Sequence, residues 1–298
     1  MIVFNDITLQ DKTTITSFTM NSYRRNCDLS FSNLCSWRFI YNTKFAIVDN
    51  FLVFKFRADN KLAYMMPVGQ GDLKKVLLDL EEDARQEGEP FCMLGTCSGV
   101  RTELENIMPG RFTFTADRNY ADYIYLRSDL ATLKGKKFQS KRNHINKFKK
   151  EYSYQYRPIT PDSIQECIDL EAKWCKMNDC DKQNDGTGNE RQAIIYALQH
   201  FEEIGLTGGM LYVEDRIVAF TFGMPINKET FGVHVEKADT SIDGAYTMIN
   251  YEFANHIPEQ FTYVNREEDL GIEGLRKAKL SYQPTILLDK YVACLEPD

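Results

Sequence analysis

The sequence predicts a mixed α+β chain of two halves, each a twisted mixed sheet flanked by helices. Three observations predict it. The length of 298 residues suits two domains of about 150 residues. Short β-favouring runs alternate with amphipathic helical stretches along the whole chain. The second half reads α-α-β-β-β-α-β-α-β, and the first half shows a shorter version of the same mixture. No residue-level repeat links the halves, so the division into 1–155 and 156–298 rests on element order.

In the first half, residues 44–57 (KFAIVDNFLVFKFR) read as two strands about an Asp49-Asn50 turn. A strand from Leu62 to Met66 stops at Pro67. Residues 72–86 form an amphipathic helix with Leu73, Val76, Leu77, Leu80 and Ala84 on one face and Gly88 as its stop. A strand at Phe91 to Leu94, a helix from Arg101 to Met108 and a strand around Tyr123-Ile124-Tyr125 follow.

The second half opens at Thr160-Pro161-Asp162, where Thr can cap, Pro fits the first turn and Asp complements the dipole. Ile164, Cys167, Ile168, Leu170 and Trp174 then face a core. Asp179 to Asn189 is polar and reads as a loop. A helix runs from Glu190 to Ile204 and stops at Gly205. Strands at Gly209–Val213, Ile217–Met224 and Thr230–Val235 are joined by turns at Asp215-Arg216 and Asn227-Lys228-Glu229. A helix from Gly244 to His256, a strand at Phe261–Asn265, a short helix at Glu273–Leu280 and a last strand at Ile286–Ala293 complete the reading.

Composition narrows the function classes. Hydrophobic residues make up 43% of the chain, enough for a sizeable core. No apolar run is long enough to span a membrane and the N-terminus does not read as a signal peptide, so the expected location is the cytoplasm. The eight cysteines form no C-x-x-C pair, which points to reduced, buried thiols rather than a zinc site, and no metal is expected. A net charge of −7 argues against general affinity for polyanions. Residues 134–150 depart from that average, with eight Lys/Arg and no acid.

An antiparallel meander, a helix and a parallel return strand, in that order, resemble the GNAT acyltransferase fold. Its working feature is a cleft where two central strands splay apart. The segment Gly274-Leu275-Arg276-Lys277-Ala278-Lys279, followed by Pro284, resembles the G-L-R-x-x-K…P signature of lysyl-phosphatidylglycerol synthetase C-terminal domains. So do Lys141-Arg142-Asn143 with Asn146, Val218-Ala219-Phe220, and Gly244 with Tyr246. The resemblance implies tandem GNAT-like folds related to Fem-type aminoacyl transferases, and a donor that is an aminoacyl-tRNA or acyl-CoA rather than a tightly bound cofactor. Family members of known activity usually carry a multi-span membrane region that this sequence lacks, which puts phosphatidylglycerol in question as acceptor. The loop Lys237–Ala245 places two aspartates where an acyl-CoA pyrophosphate would need Gly-rich backbone and positive charge.

Candidate residues follow. Arg276 and Lys279, three apart on one short helix, could grip a phosphate or carboxylate, or simply complement a helix end. Arg266 and Asp269 follow a strand end where a splayed sheet would open. Glu267 and Glu268 lie between them; Asp269 or Glu267 could act as base or hold a substrate amine, and an ordinary charged loop is the plainer reading. His234 and Glu236, two apart on a strand, are expected on one sheet face, with Glu236 taking a proton from the attacking amine. Tyr246 could protonate a leaving group or be core, and Asn250 faces the same way. Lys141 and Arg142, in the basic segment, could contact tRNA phosphates or belong to a solvated linker helix. Three functions therefore compete: an acyl- or aminoacyl-transferase acting on a small-molecule, peptide or lipid head-group acceptor, a non-catalytic protein binding a small anion in a GNAT-like cleft, and an RNA-binding module acting through 134–150.

Overall fold

The computed structural model describes residues 2–177 and 187–296. Two sheets form. The strands are β1 (Asn5–Asp6), β2 (Lys44–Val48), β3 (Phe51–Ala58), β4 (Lys61–Met65), β5 (Val68–Gly69), β6 (Cys92–Cys97), β7 (Phe112–Ala116), β8 (Asp122–Leu126), β9 (Tyr154–Pro158), β10 (Thr207–Val213), β11 (Arg216–Pro225), β12 (Thr230–Ala238), β13 (Tyr263–Asn265), β14 (Ile286–Leu288) and β15 (Lys290–Leu295). The first sheet runs β1-β2-β3-β4-β6-β15-β7, with β5 beside β3. The second runs β14-β8-β13-β12-β11-β10-β9.

Three tight hairpins set the antiparallel registers. Asp49-Asn50, Asp59-Asn60 and Glu214-Asp215 all take positive φ, the conformation two-residue hairpins need and Asn and Asp tolerate. The last turn falls one residue before the expected Asp215-Arg216.

Both faces of the central strands are covered, which explains why Phe51-Leu52-Val53-Phe54 is an unbroken apolar run. Leu52 and Phe54 enter an inner core that also takes Met210, Tyr212, Phe220 and Phe222 from the second sheet. Phe51 and Val53 face an outer core under the helix Leu73–Gln86. That helix begins where Asp72 accepts the Lys75 N–H at 3.0 Å. It buries Leu73, Val76, Leu77, Leu80 and Ala84, and each of the larger aliphatics is worth about 1.5–3 kcal/mol. The outer core of the second sheet lies under the helices Gln139–Glu151 and Ala245–His256.

Several elements differ from the sequence reading. The helix expected from Arg101 starts at Ser98. The helix expected over 190–204 is two pieces, Thr187–Gln199 and Phe201–Ile204, and most of the polar Asp179–Asn189 stretch lies outside the described residues. The single last strand is two strands in different sheets: β14 pairs with β8, whereas β15 runs between β6 and β7. The boundary near 155 falls within β9, and strands on either side of it cross between sheets, since β8 joins the second and β15 the first. Cys92 and Cys294 are neighbours across β6 and β15 and form a disulfide, so two of the thiols expected to be reduced are bonded. Cys27, Cys35, Cys97 and Cys167 are free and buried, and Cys175 is buried. No helix among the described residues is long and apolar enough to cross a membrane.

Candidate active site

The parallel strands β12 and β13 pair over three residues only, Thr230–Gly232 against Tyr263–Asn265. Beyond Asn265 the chain stays with β8, through the Arg266 N–H to Tyr123 C=O bond at 2.9 Å and the Tyr123 N–H to Glu267 C=O bond at 3.1 Å. β12 instead follows β11 to Ala238. The strands therefore part, and among the described residues no strand pairs with Val233–Ala238 on the side away from β11. This is the splayed gap that the resemblance to the GNAT fold implies.

A β-bulge shapes the gap. Phe222 pairs with Val235 but Gly223 with Val233, so His234 is the extra residue. Val233 joins the outer core while Val235 packs on the inner one. His234 and Glu236 thereby point to opposite faces, not to the one face that strict alternation predicts. Gly223 permits the bulge, because a Cβ there would stand 1.8 Å from the Gly232 carbonyl oxygen.

On the outer face Glu236 meets Arg266 across the gap at 3.0 Å, both largely buried. One terminal atom of the Asn250 amide lies 3.2 Å from Arg266 Nη1 and 3.3 Å from Glu236 Oε2, so the amide sits against the pair. Tyr282 carries Arg266 at 5.0 Å and the Lys141 ammonium at 4.0 Å from its ring centroid. Burial, then the nearby Arg266, pushes the Lys141 ammonium down to about 8. Tyr246 accepts the Trp174 Nε1–H at 2.9 Å at the far end of the gap. Burial raises its phenol, which keeps it protonated and able to donate. Lys237 covers the Trp174 ring at 3.5 Å and pairs with Glu190 at 3.0 Å.

On the inner face His234 Nδ1 lies 2.8 Å from Glu267 Oε1 and Nε2 lies 2.7 Å from Ser30 Oγ. Asn33 donates to the same Glu267 oxygen at 2.8 Å. Nothing in the sequence points to Ser30 or Asn33, since they reach the gap from more than 200 residues away.

The remaining candidates hold the frame. Asp269 is fully buried and accepts from Arg276 Nε and Nη2 (2.9 and 2.7 Å), the Tyr123 hydroxyl (2.6 Å), Arg118 (3.2 Å) and the Gly271 N–H (2.9 Å). Burial alone would raise its carboxyl, but Arg276 and Tyr123 hold it far below the usual range. A carboxylate so saturated is an anchor, not a base. Lys279 donates to the carbonyls of Arg266 and Glu268, and burial lowers its ammonium. Arg276 and Lys279 thus share a face, as expected, but they spend their charge on the segment Arg266–Asp269. Arg142 donates to the carbonyls of Leu133 and Gly135 and closes its own helix start. Of the cations singled out from the sequence, Arg266 and Lys141 line the gap.

The aspartates of the 237–245 loop are tied down within the chain. Burial raises the Asp239 carboxyl, but Lys173 at 2.5 Å and Ser241 more than offset this and hold it at about 2. Asp243 pairs with Lys147 at 2.6 Å. Gly244 opens the helix Ala245–His256 with φ +83°, and Phe148 lies over it, 3.4 Å from where its Cβ would be.

In the first sheet β4 and β6 pair over two residues. There Arg24 donates to the Met66 carbonyl at 2.8 Å and Asp28 packs on Gly95, so the chain itself occupies the parting. Lys290 contacts Asp122 (2.9 Å), Asp28 (3.2 Å) and Glu268 nearby. Burial, and the excess of carboxylates over that one ammonium, raises Glu268 to about 7. Among the described residues Cys27, Asp122 and Glu268 are close enough to share an ion, but Lys290 already contacts all three.

Comparisons with known proteins bear on the fold and the family. The chain matches a conserved protein of unknown function from Bacteroides thetaiotaomicron, with 73% identity, TM-score 0.97, and 99% of this chain and 100% of that one covered. L-PGS from Bacillus licheniformis shares the fold at 15% identity and TM-score 0.68, over 99% and 94% of the chains. A tandem GNAT protein from the clavulanic acid biosynthesis pathway matches over the full length of both chains at 10% identity and TM-score 0.51, in keeping with tandem GNAT-like folds. An uncharacterised protein of Mycoplasmoides gallisepticum is 27% identical over 180 residues, 57% of this chain, and the match spans only 55% of that relative's length. The family model for the C-terminal part of phosphatidylglycerol lysyltransferase matches residues 20–294, and the chain belongs to that family.

Proposed function

We propose that the chain moves an activated acyl or aminoacyl group to an amine or hydroxyl acceptor at the gap between β12 and β13. The observation that carries this reading is the parting of the two strands after Gly232 and Asn265, in a chain of the lysyltransferase family. The outer edge of Val233–Ala238 offers backbone hydrogen-bonding groups to an extended acyl-bearing arm. Glu236 is the candidate proton acceptor and Tyr246 the candidate donor to the leaving group, with Asn250, Arg266 and Lys141 orienting the substrate.

An aminoacyl ester suits the site better than acyl-CoA. A pyrophosphate needs free N–H groups and positive charge at the helix start. Here Phe148 covers Gly244, and Asp239 and Asp243 flank it. The exposed Lys134, Lys136, Lys149 and Lys150 of the basic segment would meet tRNA phosphates.

The test incubates the protein with a panel of aminoacyl-tRNAs or acyl-CoAs, and with phosphatidylglycerol vesicles, peptides or small amines as acceptors. Transfer from aminoacyl-tRNA is expected, and a donor at 100 times its Kd should add about 2.7 kcal/mol of stability. A second reading, binding without turnover, draws on the Glu236–Arg266 pair that spans the gap. It predicts stabilisation by a small anion and no transfer to any acceptor.

A further inference from the structure

Ser30, His234 and Glu267 stand in the order nucleophile, base and orienting carboxylate. The Oγ–Nε2 separation is 2.7 Å and the Nδ1–Oε1 separation 2.8 Å. Glu267 as a carboxylate fixes the proton on Nδ1, which leaves Nε2 to accept from the Ser30 hydroxyl. Asn33 holds the same Glu267 oxygen at 2.8 Å and fixes the carboxylate.

Two local rules are broken here together. Ser30 occupies the N-cap of the helix Phe31–Ser36, where a serine hydroxyl normally accepts a backbone N–H; it makes no such bond and turns to His234 instead. Glu267 holds φ +58°, a costly conformation for a residue with a side chain. His234 itself is the bulged residue of β12. All three departures bring functional groups to the inner mouth of the gap. Ser30 is fully buried and the His234 side chain is 3% exposed, so water is kept from the hydroxyl. The same burial bars an ester until the residues over Ser30 give way, so the rate of acylation also reads how readily the site opens.

We propose that Ser30 carries the acyl group as an ester between donor and acceptor, with His234 as its base and Glu267 as the positioning carboxylate. The location rests on the gap being the transferase site. Ser30 Oγ attacks the carbonyl carbon of an activated ester while its proton passes to His234 Nε2. The donor's C–O bond breaks and the leaving oxygen takes that proton, leaving an acyl ester on Ser30. The acceptor amine or hydroxyl then attacks the same carbon and gives its proton to His234 Nε2, so in this relay His234 takes over the proton transfers otherwise assigned to Glu236 and Tyr246. The bond to Ser30 breaks, and Oγ recovers the proton.

The experiment uses the full chain and p-nitrophenyl acetate. The expected result is a stoichiometric burst of p-nitrophenol and one acetyl group mapped to Ser30 by peptide mass spectrometry. Ser30→Ala abolishes the adduct, and His234→Asn slows its formation by about 100-fold or more. Ser30→Cys, which keeps a nucleophile, retains acylation and guards against a folding defect as the cause. An unmodified Ser30 in the wild-type chain, or an adduct that forms equally fast in His234→Asn, overturns the proposal. Full transfer from aminoacyl-tRNA by Ser30→Ala also overturns it, while leaving the transferase reading intact. A Ser30 ester without transfer from any aminoacyl-tRNA supports the relay and removes the donor assignment instead.

Discussion

Arg266 and Glu236 meet at 3.0 Å across the gap that opens where β13 leaves β12. Each comes from a strand that continues along a different neighbour, so the pair measures how far the sheet has parted. A buried pair of this kind adds little net stability but fixes geometry, because removing one partner strands the other's charge.

Lys141 is the other cation at this mouth, and burial beside Arg266 lowers it to about 8. An anionic ligand that depends on it should bind below pH 8 and weaken as the ammonium deprotonates above it. Titrating with inorganic phosphate as probe, we expect affinity to fall between pH 7 and 9 in the wild type. The fall should be shallower in Lys141→Ala, where binding is already weak. An identical pH profile for both proteins would remove Lys141 from the site.

Asp269 is expected to matter for stability. Asp269→Asn leaves Arg276 and Arg118 without their shared carboxylate. The loss should be about 3 kcal/mol, read as a lower denaturation midpoint. If stability is unchanged while transfer is lost, Asp269 has a direct chemical role after all.

Glu268 makes the opposite contribution to that of a stabilised acid. Its folded value of about 7 lies above the ordinary carboxyl value, so the folded state binds its proton more tightly than the unfolded chain does. Its ionisation therefore costs stability as pH rises from about 4.5 to 7. Glu268→Gln should raise stability at pH 8 by on the order of 1 kcal/mol and change it little at pH 4. Urea melts at the two pH values check this.

Gly223 tests the bulge. A methyl group there would collide with the Gly232 carbonyl, and backbone cannot yield as a side-chain end can. Gly223→Ala should cost about 3 kcal/mol or more. Partial repairing of the β11–β12 register would also turn His234 away from Ser30. A melting temperature equal to the wild type would show that the bulge tolerates a side chain.

How much of this could be read from residues alone varies by element. The hairpin at Asp49-Asn50 and the helix Leu73–Gln86 were legible because turn chemistry and periodicity are local. The short helices before Lys44 carry weak patterns of their own, and β7 and β9 are largely exposed edge strands that form by pairing with β15 and β10. Among the site residues, Glu236, Asn250, Arg266 and Lys141 do converge at the gap. Arg276, Lys279 and Asp269 were singled out for their charge, yet they hold the loop that frames it.

By itself the sequence determined the mixed α+β character, the strand–helix order of the second half and the family signature at Gly274–Lys279, all of which depend on spacing within a few residues. Tertiary structure decided which strands share a sheet, which face His234 presents and which N-terminal residues meet it. Those outcomes follow from one extra residue in β12 and from contacts between segments up to 263 positions apart, as between Cys27 and Lys290. The free energy of such pairings depends on partners that no local pattern names.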